Sequence, residues 1–139
     1  GKQGIFQNKL YEGIPKMLET LQANGVTLLV ATSKPEPYAK EIIQHFHLES
    51  FFLYIAGGNM DGTRCKKQEV ISYVLQTCRF YDKKGIAMVG DRRHDIEGAK
   101  SCGIDSIGVL YGYGSEKELM DAGAGQVAAS PEELLSICL

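Results

Sequence analysis

The sequence predicts an α/β fold in which helices cover both faces of a mostly parallel sheet. Apolar residues follow two alternating patterns along the 139 residues, short continuous runs and longer runs at helical spacing. The short runs are apolar at nearly every position, as in strands that are buried on both faces. Because each strand is followed by a helix that returns the chain to the same edge, the strands are expected to pair in parallel. The length fits one domain.

The first half of the chain contains two of these strands. Proline suits the first turn of a helix and glycine its end, so Pro15 and Gly25 mark the two ends of one helix. Pro35 and Pro37 similarly precede another helix. The predicted elements are a helix from Gly13 to Gly25, a strand over 26–31, a helix after Pro35, a strand over 52–56 and a helix over 66–79.

The second half continues the alternation. Its predicted elements are a strand over 86–89, a helix over 95–102, a strand over 106–110, a weaker helix over 116–121, a short strand at 127–128 and a helix from Pro131. In parallel sheets of this kind, ligands bind beyond the carboxyl ends of the strands. The residues that directly follow each strand are therefore the candidates for a functional site.

The composition excludes several classes of protein. The formal net charge of −2 gives no basic surface for nucleic acid or for an anionic membrane. No apolar run approaches the ~18 residues that span a bilayer. The four cysteines form no C-x-x-C pair and have no histidine at zinc-ligand spacing, so we expect reduced thiols and a cytoplasmic location. The chain begins at Gly1 without methionine, and we expect further sequence upstream.

The sharpest motif is Gly-Asp-x-x-x-Asp, formed by Gly90, Asp91 and Asp95. A strand ends at Gly90, and the second aspartate follows four residues later at the start of a helix. The two carboxylates are therefore expected to converge, and Mg²⁺ favours such hard oxygen ligands. The alternative is structural: Asp91 makes a turn and Asp95 caps the helix.

Two further strand or helix ends carry groups suited to phosphate. Thr32 and Ser33 follow a buried strand, where a hydroxyl and the amides of the next helix bind phosphate oxygens. The alternative for Thr32 is a helix N-cap before Pro35. Lys66 and Lys67 begin the helix over 66–79, either as solvated charges or as an electrostatic clamp on phosphate.

In this order, the hydroxyl, the lysine and Gly-Asp-x-x-x-Asp resemble the second, third and fourth motifs of the haloacid dehalogenase superfamily. The resemblance covers essentially the whole chain and is strongest to members that are like phosphoglycolate phosphatase or 5′-nucleotidase. It implies a three-layer α/β/α, Rossmann-like core and a Mg²⁺-dependent phosphomonoester hydrolase. The implied substrate is a small phosphorylated metabolite or a nucleotide monophosphate, with neither nucleic acid nor membrane as partner.

The resemblance also implies roles for individual residues. Thr32 corresponds to the residue that hydrogen-bonds the transferred phosphoryl group, and Ser33 and Arg92 are further candidates for substrate binding. Lys67 corresponds to the lysine that steadies the nucleophile and the phosphate, with Lys66 as a rival one position away. The metal ligand corresponds to Asp91, and Asp95 acts as its partner through water or the lysine, so that Asp95 is a candidate for both metal binding and catalysis.

The first motif of the family, Asp-x-Asp, is not found in the sequence. Residues 59–63 imitate it, but Asn59 occupies the nucleophile position and an amide cannot act as that nucleophile. We therefore interpret 59–63 as a turn and expect the motif upstream of Gly1, with most of the cap domain. On this interpretation 1–12 is the end of the cap and 13–139 is an incomplete core.

The absent first motif has structural and functional consequences. The strand that carries it is central in the family, so we expect a gap between the strands near Leu28 and Ala87. A strand-swapped dimer, association with the N-terminal segment, or direct pairing of the flanking strands would close it. The fragment alone is expected to be inactive. A non-catalytic binding or regulatory module on the same fold is the alternative, whereas a receiver-type signalling domain has its acidic pair first, in the opposite order.

Overall fold

The fold is that of a computed structural model, which describes residues 13–139. The segment 1–12, expected to be the end of a cap, lies outside the described residues. In the described part, helices α1–α6 span Ile14–Ala23, Glu36–His45, Lys67–Thr77, Arg93–Cys102, Glu116–Asp121 and Pro131–Cys138. Strands β1–β5 span Leu28–Pro35, Phe52–Gly58, Ala87–Gly90, Asp105–Val109 and Gln126–Ala128.

The strands form two parallel sheets. Strand β1 pairs with β2, and β3, β4 and β5 pair in that order. Each pairing is parallel, with Val30 opposite Ile55 in the first sheet and Val89 opposite Ile107 in the second. The predicted α/β fold with parallel strands is therefore confirmed.

The largest difference from the predicted elements is at β1. The sequence predicts a strand over 26–31, whereas β1 is Leu28–Pro35. Val26 is used otherwise, because its amide bonds to the Leu21 carbonyl and closes the end of α1. At the other end, Pro35 pairs with Gly58 beyond a break in register after Ala31. Thr32 and Ser33 therefore lie within the end of the strand rather than after it.

Helices cover both faces of the sheets, as predicted. Successive side chains of a strand point to opposite faces, and β1 shows this directly. Val30 belongs to the core cluster with Ile43 of α2 and Leu134 of α6, whereas Ala31 belongs to the cluster with Ile71 of α3. Burial of each large aliphatic side chain contributes about 1.5–3 kcal/mol. The two clusters together make the chain a three-layer structure.

A cavity lies between the two sheets. In residues 13–139, β1 has hydrogen-bonded strand pairing only with β2, and β3 only with β4. The cavity measures about 1050 Å³ and is lined by residues of β1, β3 and α3, among them Leu29, Ala31, Ile71, Ala87 and Val89. The described residues contribute no strand between β1 and β3. This is the position at which the sequence predicts the family's central strand, and that strand remains a prediction.

The cavity leads to a test of whether a strand fills it in the full-length protein. Ile71 and Ile43 are both 2% exposed, but only Ile71 lines the cavity. If a strand occupies the gap, Ile71→Ala and Ile43→Ala should each lower the free energy of unfolding by about 2–5 kcal/mol, because each leaves a new void. Urea denaturation of the full-length protein measures both. If Ile43→Ala shows the full loss but Ile71→Ala lowers the free energy of unfolding by less than ~1 kcal/mol, no strand packs on Ile71.

Candidate functional site

The candidate site lies at the carboxyl ends of β1 and β3. Asp91 follows β3 directly, and Asp95 is the third residue of α4, in its first turn. Both aspartates are fully buried at 0% exposure, Lys67 is 7% exposed, and Thr32 is also buried. Charged side chains are almost never buried to this extent unless they are paired. The burial of three charged groups at one edge marks it as the place where the sequence-predicted residues converge.

Lys67 and Asp95 form a buried ion pair across two helices. The Lys67 Nζ is 2.7 Å from Asp95 Oδ1 and donates a hydrogen bond to the carbonyl of Ala31 at 3.3 Å. The neighbouring Lys66 is exposed, and its backbone amide donates to Glu69 Oε1 at 3.1 Å. Of the two rival lysines, the structure therefore places Lys67, the first residue of α3, at the site.

Asp95 is held as a carboxylate. Burial by itself favours the neutral acid, but the charge and hydrogen bond of Lys67 keep the pKa of Asp95 below its ordinary value. Its Oδ2 accepts hydrogen bonds from the amides of Asp91 at 3.1 Å and Arg92 at 3.2 Å. Because Arg92 is the residue before α4, Asp95 also caps the helix, as the structural alternative proposed.

Asp91 is fixed by the loop that follows β4. Its Oδ2 accepts a hydrogen bond from the amide of Tyr113 at 2.8 Å. A Cβ added at Gly112 would overlap the Asp91 carboxylate, and one at Gly90 would overlap the carboxylate of Asp95. Only glycine lets the backbone approach this closely. Both aspartates are thus enclosed by backbone as well as by side chains.

Gly98 sets the distance between the two helices that supply the ion pair. It lies in α4, one turn after Asp95, and a Cβ there would be 2.9 Å from Lys67 Cγ. Glycine inside a helix lowers its stability by about 1 kcal/mol relative to alanine, so its position needs a packing reason. The contact with Lys67 supplies that reason. The sequence interpretation placed Gly112 after a strand, as a possible border of the pocket or part of a glycine-rich turn, but gave Gly98 no packing role, for which a glycine inside a predicted helix was the available signal.

The other predicted substrate-binding residues lie around an open cavity of about 510 Å³. Its lining includes Ser33, Lys66, Lys67, Arg92, His94, Asp95 and Tyr113. The Arg92 Nε donates to Glu118 Oε2 at 2.9 Å, and the same oxygen accepts the Arg93 amide at 2.8 Å. Glu118, which the sequence pattern did not reveal, therefore anchors the loop after Asp91 to α5.

Thr32 does not act as a helix N-cap. The residue that precedes α2 is Pro35, and no side chain caps that helix. The Thr32 Oγ1 instead accepts a hydrogen bond from the amide of Lys34 at 3.3 Å. The N-cap alternative is therefore wrong, and the buried hydroxyl stays at the strand end next to the carbonyl of Ala31 that accepts from Lys67.

Residues 59–63 form a turn that is closed by its own polar groups. Asp61 Oδ1 accepts hydrogen bonds from the amide and the hydroxyl of Thr63, at 3.0 and 2.7 Å. These bonds lower the pKa of Asp61. The Asn59 side chain donates to the Thr63 hydroxyl at 2.8 Å. The interpretation of this segment as a turn agrees with the structure.

The carboxylates of Asp91 and Asp95 are the donor set that fits a divalent cation. In residues 13–139 no group of three or more His, Cys, Asp or Glu residues is arranged to hold a metal ion. Two buried carboxylates supply the hard oxygens that Mg²⁺ favours, and Mg²⁺ commonly takes only one or two carboxylates from the protein. The residues present therefore fit this cation.

Comparison with known proteins gives a family and several relatives. Residues 3–109 match the family model of haloacid dehalogenase-like hydrolases. A 5′-nucleotidase from Pseudomonas aeruginosa is 46% identical over 84% of this chain and 52% of its own length. Tyrosine-protein kinase PtkA from Mycobacterium tuberculosis is 44% identical over 81% of this chain and 38% of its own. A phosphoglycolate phosphatase from Vibrio parahaemolyticus is 27% identical over 98% of this chain and 59% of its own.

A solved structure shows the same fold. The crystal structure of a predicted phosphatase from Clostridium acetobutylicum has a TM-score of 0.90 and 40% identity, covering 93% of this chain and 59% of that one. The chain thus spans about half the length of the curated relatives it matches. Across 13–139, no helix has the length and apolar character needed to cross a membrane. The resemblance drawn from the motifs is confirmed by these matches.

The buried ion pair predicts a large difference between the two neighbouring lysines. Lys67→Met should lower the free energy of unfolding by about 3–5 kcal/mol at pH 7, because it leaves the Asp95 charge buried without its partner. Lys66→Met is the matched control and should change it by less than ~0.5 kcal/mol. Urea denaturation measures both, and equal losses would contradict the assignment of Lys67.

The stability difference between wild type and Lys67→Met should depend on pH in a defined direction. The pKa of Asp95 is depressed in the folded state, so its contribution is present above the ordinary carboxyl pKa of about 3.9 and is lost as the pH falls through the lower folded value. The difference between wild type and Lys67→Met should therefore shrink at acidic pH.

Proposed function

The chain belongs to the haloacid dehalogenase-like hydrolase family, and we propose that the protein containing it is a cytoplasmic, Mg²⁺-dependent phosphatase of small phosphomonoesters. The observation that carries this proposal is the buried Lys67–Asp95 pair beside Asp91 and Thr32 at one edge of the sheets. The four cysteines, all within the described residues, form no disulfide with one another, which suits a reducing compartment.

The aspartates would hold the metal. Both Asp95 oxygens are already contacted, Oδ1 by Lys67 and Oδ2 by two amides, which suits a carboxylate that acts through water or the lysine. Asp91 is the residue assigned to direct coordination. A bound Mg²⁺ supplies positive charge that neutralises the phosphate oxygens during phosphoryl transfer. The loops around Gly90 and Gly112 fix where the two carboxylates lie.

Thr32 and Lys67 would bind the phosphoryl group from the other side. The Thr32 hydroxyl is buried at the end of β1, and the Lys67 ammonium lies between β1 and α4. A preorganised cation in a site that excludes water stabilises charge that develops in the transition state. Ser33 and Arg92 border the open cavity on the substrate side, with Arg92 oriented by Glu118.

We place the attacking carboxylate outside the described residues. Its oxygen would attack phosphorus and break the bond to the leaving alcohol, and water would then hydrolyse the resulting aspartyl-phosphate. The cavity between β1 and β3 is lined by Ala31 and Val89, which directly precede Thr32 and Gly90. A parallel strand in that cavity would bring its carboxyl end to Thr32 and Asp91, which supports this placement of the nucleophile.

The substrate class is inferred from the named relatives. A 5′-nucleotidase and a phosphoglycolate phosphatase both act on phosphomonoesters, so a nucleotide monophosphate or a small phosphorylated metabolite is the proposed substrate. The similarity to a tyrosine-protein kinase favours a second candidate, phosphoryl transfer from a nucleotide to tyrosine. A non-catalytic module on the same fold is the third.

Two assays of the full-length protein, one of phosphate release and one of phosphate transfer, separate these candidates. The full-length protein should release phosphate from an aryl phosphate in the presence of Mg²⁺ and lose that activity in EDTA, whereas residues 1–139 alone should show no turnover. If the protein transfers phosphate from ATP to a tyrosine peptide and does not hydrolyse the aryl phosphate, it is a kinase and the phosphatase proposal is wrong. Mg²⁺-dependent turnover by the 139-residue chain would contradict a nucleophile supplied from elsewhere.

The metal site is tested by replacing the Asp91 carboxylate with an uncharged amide of the same shape. Asp91→Asn in the full-length protein should lower activity about 100-fold or more at ordinary Mg²⁺, with partial recovery at high Mg²⁺, because one metal ligand has been weakened. Lys67→Ala should lose activity without such recovery. Asp61→Asn, in the exposed turn, is the control and should behave as wild type. Titration of Mg²⁺ against initial rate measures all three, and an unchanged Mg²⁺ requirement in Asp91→Asn would contradict the assignment.

A further inference from the structure

The connection between β2 and α3 determines where Lys67 lies. It first forms the turn over 59–63, whose polar side chains bond to one another. That turn therefore does not account for how the start of α3 is held. The residue after it, Arg64, has a backbone φ of 50°, in the left-handed region that arginine rarely adopts. An unusual backbone conformation of this kind persists only where surrounding contacts maintain it.

The Arg64 guanidinium contacts three different elements. Its Nε donates to the carbonyl of Gly57 in β2 at 3.1 Å, and its Nη2 is 3.6 Å from Glu36 Oε1, at the start of α2. Its Cζ lies 3.7 Å from the centre of the Tyr73 ring in α3. A planar guanidinium can bond at its edge and stack on its face at once, which lysine cannot do.

Two of the partners are joined to one another. The carboxylate of Glu36 also accepts the amide of Gly57 at 3.2 Å. The Tyr73 hydroxyl is 3.1 Å from the hydroxyl of Tyr54 in β2, and this contact raises the pKa of Tyr54 to about 12. Arg64 thus lies at the centre of a closed network that links β2, α2 and α3.

These elements carry the phosphate side of the site. Helix α2 follows the strand end with Thr32, and α3 begins with Lys67, three residues after Arg64. The backbones of Ser33 and Arg64 are packed closely around Gly58, because a Cβ at Gly58 would be 3.1 Å from the carbonyl oxygen of each. The cavity of the site is lined by Cys65 and Lys66 but not by Arg64.

We propose that Arg64 is a positioning residue that fixes the first turn of α3, and so holds Lys67 in register with Thr32. It does not touch the substrate. It acts through the contacts with Gly57, Glu36 and Tyr73, which set the distance between the strand end and the lysine. This inference rests on the proposed function only for its catalytic consequence, since the positioning itself is a property of the fold.

Arg64→Gly tests the proposal. Glycine adopts the left-handed conformation without strain, so the change removes the guanidinium while keeping the backbone. The chain offers a matched control in Arg79, which has a φ of 62° at the other end of α3 and an exposed side chain. In the full-length protein, Arg64→Gly should lower kcat about 10–100-fold with KM within about twofold, the effect of a misplaced catalytic group. Arg79→Gly should match wild type.

A second measurement does not depend on turnover. The amides of Glu69 and Val70 bond to the Lys66 carbonyl in the first turn of α3, and their hydrogen exchange reports how firmly that turn is held. In Arg64→Gly their exchange should rise on the order of tenfold or more, without an equal rise at the core amides. Added guanidinium can bond at its edge and stack on its face as the Arg64 side chain does, so it should restore both exchange and kcat. Arg79→Gly should show neither change.

The outcomes separate the two claims. Exchange at Glu69 and Val70 that is unchanged in Arg64→Gly, or a loss that guanidinium does not restore, overturns the positioning role whatever the activity. The exchange in Arg64→Gly could rise and be reversed by guanidinium while the wild-type protein shows no phosphatase activity. That result upholds the positioning role and overturns the proposed function. A change that appears mainly in KM would place Arg64 in substrate binding instead and would also overturn the proposal.

Discussion

The contact between Lys67 and Asp95 is the interaction on which the rest of the site depends. Two opposite charges 2.7 Å apart and almost wholly removed from water are held together strongly, but removing them from water is itself unfavourable. Three further contacts stabilise the arrangement: a strand carbonyl accepts a hydrogen bond from the lysine, and two amides donate to the aspartate.

The glycines around the pair show how that constraint acts on the backbone. Side chains at Gly90, Gly98 or Gly112 would occupy space taken by Asp95, Lys67 or Asp91. Because glycine has no side chain, these three positions leave the space that the charged groups of the site occupy. Glu118 and Arg64 have the complementary role, since each ties a loop next to the site to a helix outside it.

Periodicity was enough to predict the parallel strands, the helices on both faces and the edge at which the site lies. It was also enough to place Asp91 at a strand end and Asp95 near the start of the following helix. It did not distinguish Lys66 from Lys67, since adjacent residues differ in burial only through the phase at which the helix begins. Arg64 and Glu118 were missed because their partners lie at distant sequence positions, and no local pattern marks such pairs. The extension of β1 to Pro35 was missed because proline is rare inside strands.

The division into two sheets bears on the order of folding. Strands β1 and β2 with α3 come from one continuous stretch of sequence, and β3, β4 and β5 come from the next. Contacts between nearby segments form faster than those between distant ones. Contacts within each half are therefore expected to form early, whereas both core clusters join residues of the two halves and are complete only when the halves meet. Lys67 belongs to the first half and Asp95 to the second, so their ion pair forms together with those shared cores.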